Sequence, residues 1–195
     1  DGLSIDGGSL AADAPRPENV LVVAKSGGDH TSIQAAIDAA SPPALVWIAP
    51  GTYVEDIETA DGINVMGSGQ TVPQIDGSIR HDSGSVTVSR LTVDGGDDVS
   101  VVEIIAGSPR FESITIVSTG NRVLETIGGE TTLRDARLEG NEFVINQIHG
   151  LIDIESSTII GENFVIYNGV AELTIHRSTI EAAAPGNVAI DSGGF

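Results

Sequence analysis

No cysteine occurs in the 195 residues, so the chain forms no disulfide and uses no thiolate chemistry. Lysine occurs once, at Lys25, and nine basic residues face 28 acidic ones, for a net charge of −19. That excludes a nucleic-acid binder, which needs a basic face to neutralise phosphates. Aromatic residues make up only 4%, so the core is expected to be aliphatic and built from many small stacked layers. No apolar run approaches the ~20 residues of a membrane-spanning helix. Neither an initiator Met nor a signal peptide is present, so Asp1 is expected to follow a cleaved leader or to lie within a longer product.

Apolar residues reach 40% and charged residues 19%, which fits one ordered domain and not a disordered chain. A strongly acidic, lysine-poor surface on such a core suits high salt. There the Debye length shrinks to about 3 Å at 1 M, and carboxylate repulsion is screened. The expected location is extracellular or on a virion surface, in a high-salt environment. Residues 1–19 are rich in Gly, Ala and Pro and read as a tether. Residues 20–195 read as the folded domain.

The stretch Thr31-Ser32-Ile33-Gln34 fits a capping box, with the Thr31 hydroxyl accepting from the third helical N–H and Gln34 reaching back. Ile33, Ala36, Ile37 and Ala40 then fall on one helical face. Ser41-Pro42-Pro43 stops the helix, which is expected over about 31–40. A short amphipathic helix ahead of a strand stack covers the open end of a core.

From Val88 onward a block recurs: "VSRLTV", "FESITI", "LRDARL", "IESSTI" and "IHRSTI", spaced about 21 to 23 residues apart. That period and the two-residue alternation predict an all-β fold, a right-handed single-stranded parallel β-helix with an N-terminal helical cap. Leu91, Ile114, Ala136, Ser157 and Ser178 are expected inward, and Thr92, Thr115, Arg137, Thr158 and Thr179 outward. Each block leads to a second short strand, with Val102, Leu124, Phe143, Phe164 and Val188 aligned as its first inward residues. Glu103, Glu125, Val144, Val165 and Ala189 are then outward, followed by Ile105, Ile127, Asn146, Tyr167 and Asp191. An outward strip of Ile105, Ile127, Val144 and Val165 predicts an interface. Asn146, Tyr167, Asp191 and Arg137 are the expected ligand contacts, since Tyr167 can stack on a sugar between polar neighbours.

Asp94, Asp97 and Asp98 lie together near a turn. Such carboxylates serve an inverting glycosidase, bind a hard cation such as Ca2+ through oxygen, or simply form a solvated acidic turn. The four histidines are far apart in sequence and show no metal-ligand spacing.

Residues 20–57 carry Val23-Ala24, Gly27-Gly28, Ser32-Ile33-Gln34, Ala36-Ile37-Asp38-Ala39-Ala40 and Pro50-Gly51-Thr52-Tyr53-Val54-Glu55. This stretch resembles the opening of pectin methylesterases, and similar openings occur in pectate lyase-like proteins and viral tailspikes. The resemblance implies the β-helix fold. It also implies a nucleophile position, on which Glu142 falls within "LRDARLEGNEFVIN". The family's Q-D-T acid and oxyanion motif and its L-G-R-P-W arginine motif are absent. A lone carboxylate without acid or oxyanion donor makes no esterase. The expected function is therefore a non-catalytic surface protein: a spike, turret or fibre domain, of a halophilic archaeal virus, binding a glycan or receptor and assembling as a homo-oligomer, a trimer foremost. The alternative is a lyase or hydrolase acting on polysaccharide, with Asp94, Asp97, Asp98, Glu103, Glu125 or Glu142 as its carboxylates.

Overall fold

A computed structural model describes residues 19–69, 71–97, 100–120, 122–163, 165–169, 171–182 and 190–192. Every strand pairing in it is parallel, and the strands form three sheets of eight, seven and seven members. The chain visits the first, second and third sheet in turn. One coil, for example, runs through Ser108–Glu112, Thr115–Val117 and Arg122–Thr126. About seven such coils stack into a parallel β-helix.

The repeated blocks are the bend from the first sheet into the second. Arg90, Ser113, Asp135, Ser156 and Arg177 all take left-handed φ values there, between 49° and 57°. Each tight bend keeps its backbone ladder: the Ser113 N–H donates to the Arg134 carbonyl at 3.0 Å, and Asp135 to Glu155 at 3.1 Å. A three-residue step is thus fixed in every coil, and the predicted columns follow. Leu91, Ile114, Ala136 and Ser157 are buried, and Thr92, Thr115, Arg137, Thr158 and Thr179 pair in one outward row. The inward serines return their hydroxyls to the bend, Ser157 Oγ to the Glu155 carbonyl at 2.8 Å.

The bend into the third sheet differs from the prediction. Leu124 pairs with Ile145, not Phe143, and Glu125 pairs with Asn146, not Val144. Val144 and Val165 are fully buried, so the strip assigned to them is not on the surface. The cause is a corner at which two consecutive residues point inward: Val101-Val102, Val123-Leu124, Val144-Ile145 and Val165-Ile166 are all buried. Small residues on the second sheet make room for the leading valine. A Cβ on Gly140 would fall 2.6 Å from Val123 Cγ2, and one on Gly161 2.8 Å from Val144 Cγ2. Val54 and Val72 are exposed elsewhere, and at the end of the third sheet Ile127 and Ile148 emerge instead, both more than a third exposed, with half-buried Ile105 beside them. Their backbone N–H groups follow one ladder at the corner back to the first sheet. Phe164, Val188 and Ala189 lie outside the described residues.

The helix Ile33–Ala39 covers the N-terminal end with Ile33, Ala36 and Ile37. Its N-cap is Ser32, whose hydroxyl accepts from the Ala35 N–H at 3.2 Å. Thr31 does not cap it. The groups beyond come from Glu55, which accepts from the Ser32 hydroxyl at 2.7 Å, Ile33 N–H at 2.8 Å and Gln34 N–H at 3.0 Å. Gln34 reaches sideways instead of back, its Oε1 accepting from the Glu58 N–H at 2.7 Å. Among the described residues no helix is long and apolar enough to cross a membrane.

Candidate functional site

The residues shared with pectin methylesterases build the cap. Tyr53 is buried, and its hydroxyl donates to the Ala49 carbonyl at 3.0 Å. Burial, then the nearby Glu55 carboxylate, raises its pKa above the ordinary 10.0. The Lys25 ammonium sits 4.2 Å from the centre of its ring, a cation–π contact. The Glu55 carboxylate holds the helix, as above. Structural duties account for Lys25, Ser32, Gln34, Tyr53 and Glu55 without any chemistry.

The outer face of the third sheet gathers the candidate site. Its outward row runs Glu58, Arg80, Glu103, Glu125, Asn146 and Tyr167, each paired with the next. Neighbouring strands lie about 4.8 Å apart, so these groups form a regular polar ladder. Glu125, the most buried carboxylate in it, is held on both oxygens. Oε1 accepts from Asn146 Nδ2 at 2.9 Å, and Oε2 from Ser100 Oγ at 2.9 Å and Arg122 Nη1 at 3.3 Å. Glu103 accepts from Arg80, which also meets Asp82 at 2.7 Å. At the upper end the rings of Phe143 and Tyr167 meet edge to face with centroids 6.3 Å apart. At the lower end Asp56, Ser78, Ile79, Arg80, Ser100, Glu103 and Glu125 line an open groove of about 380 Å3. Asp56 is oriented by the Ser78 N–H and hydroxyl, both at 2.8 Å.

The predicted ligand contacts thus divide. Asn146 and Tyr167 share this row and the Asp191 backbone pairs in register with Tyr167, but Arg137 stands on the second sheet between Thr115 and Thr158 and pairs with Glu139 at 2.7 Å. Phe143 was missed because a two-residue slip made it the first inward residue in place of Ile145, and Arg80, Ser100 and Arg122 because no column was assigned to them. The repeating apolar doublets, Val123-Leu124 to Val144-Ile145, carry the signal that would have set the register.

Asp94 ends a second-sheet strand beside Asp76 and accepts from the Gly96 N–H at 3.1 Å. Asp97 is exposed in the following turn, and Asp98 lies outside the described residues. Among the described residues no three His, Cys, Asp or Glu side chains gather into a metal site. Glu142 is exposed in the turn before Phe143. No protein-family model matches the chain, and no curated protein matches it. The likeness of residues 20–57 to pectin methylesterases therefore stands on those residues alone.

Proposed function

We propose that this chain is a non-catalytic surface β-helix that binds a glycan across the outer face of its third sheet. The observation that carries this reading is the ladder itself. Its polar groups are oriented by one another before any ligand arrives, and a half-exposed Tyr167 stands in line with them. Preorganised hydrogen-bonding groups beside an aromatic ring suit a hydroxyl-rich ring with an apolar face. The acidic composition supports a high-salt setting such as a virion or cell surface, and the Ile105–Ile127–Ile148 ridge supports self-association there.

A catalytic reading draws on Glu103 and Glu125, paired in register on neighbouring strands. Both are spent on protein partners. Neither oxygen of Glu125 is left to face a substrate, since an asparagine holds one and a serine and an arginine hold the other, which opposes a general-acid role. The test is a glycan-binding screen in molar KCl, with the same polysaccharides assayed for cleavage with and without calcium. Binding that falls at least about tenfold in Tyr167→Ala, the scale of a lost stacking contact, supports the proposal. Turnover that is lost in Glu125→Gln would replace it with the enzymatic reading.

A further inference from the structure

The charge on this face says which glycans it takes. Resting on the proposal that the third sheet binds sugar, we infer that the ligand carries no carboxylate or sulfate: it is an uncharged or amine-bearing sugar. Four carboxylates face the groove and its lower edge: Asp56, Glu58, Glu103 and Glu125. Two arginines stand with them, and neither has its charge free. Arg80 is shared between Asp82 and Glu103. Arg122 is spent on Glu125, and its Nε is closed off from solvent. An anionic sugar laid here meets like charges at contact range with no cation released to answer them. Screening at about 1 M salt acts over about 3 Å, so it removes the distant charges of the chain but not these neighbours. Hydroxyls and amines, by contrast, donate to carboxylate oxygens that are already aimed. Asp56 Oδ1 is fixed by Ser78, and Glu103 by Arg80.

The experiment is an array of neutral, amine-bearing, uronate-bearing and sulfated oligosaccharides, probed with the whole chain in molar KCl. It is followed by titration of one matched pair, polygalacturonate and its fully methyl-esterified form. Hits confined to neutral and amine-bearing glycans, with the ester bound at least tenfold more tightly than the acid, are expected. Glu103→Gln leaves Arg80 with one carboxylate fewer and should narrow that preference at least threefold. Uronate or sulfated glycans binding equally well or better, through Tyr167, overturn the inference while leaving the glycan-binding reading intact. Absence of any Tyr167-dependent hit overturns both.

Discussion

His81 is a fully buried imidazole in a mostly aliphatic core. Its Nδ1 lies 2.8 Å from the Thr59 hydroxyl and its Nε2 3.4 Å from the Gly84 carbonyl. A neutral ring protonated on Nε2 satisfies both contacts. Gly107 has to be glycine beside it, with φ +91° and a Cβ position only 2.7 Å from Nε2. Burial pulls the pKa below the ordinary 6.5, against smaller opposing effects of the Gly84 carbonyl, Asp82 and Asp61. Below that ordinary value the unfolded chain takes up a proton that the folded chain refuses, so stability falls as pH drops through about 6.5. Gln147 holds the same column and donates to the Gly150 carbonyl at 3.2 Å as His81 faces Gly84. His81→Gln is therefore expected to fold and to flatten the loss of melting temperature between pH 7.5 and 5.5. An unchanged slope would show that other groups set it.

The cap helix has seven residues, too few to hold itself in water. Its first turn is closed from outside by Glu55, on the chain segment between the second and third sheets. A carboxylate accepting from two helix N–H groups and a cap hydroxyl also meets the positive end of the helix. Glu55→Ala is expected to cost about 1–2 kcal/mol, by analogy with lost N-caps. In a chain of this size that corresponds to a drop in melting temperature of roughly 2–8 °C. Amide hydrogen exchange should rise first at Ile33 and Gln34, whose N–H groups Glu55 holds. Uniform destabilisation without local exchange at the helix would count against this role.

Over the whole molecule, the arginines cannot balance the acids. Arg80, Arg110, Arg122, Arg134, Arg137 and Arg177 all hold carboxylates, and the net charge is still −19. Exposed pairs of this kind contribute about 0–1 kcal/mol each. On the proposed high-salt setting, dissolved ions screen the remaining charge and melting temperature is expected to climb steeply with KCl; a flat response would refute the high-salt reading. Two copies of so acidic a chain meet most easily through an uncharged surface, and the Ile105–Ile127–Ile148 ridge is one. Light scattering in molar KCl is expected to give a multiple of 20.0 kDa, and Ile127→Asp to return the mass to that of one chain. A monomeric wild type ends the idea.

The sequence alone determined the winding of the chain, because a period near 22 residues with alternating aliphatics leaves few other ways to bury them. It also set the Leu91–Ser157 and Thr92–Thr179 columns, since the bend between them has constant length and only one register puts the aliphatics inside. Tertiary structure decided the rest. From Val93 to Val102 the chain takes nine steps to the third sheet, but from Leu138 to Ile145 only seven. Turns of changing length carry no local marker of register, so packing of Val144 against Gly161 chose it. That choice moved Val144 and Val165 into the core and set Asn146 beside Glu125. The row on which the glycan reading rests exists only because stacked coils bring residues 21 and more apart into hydrogen-bonding range.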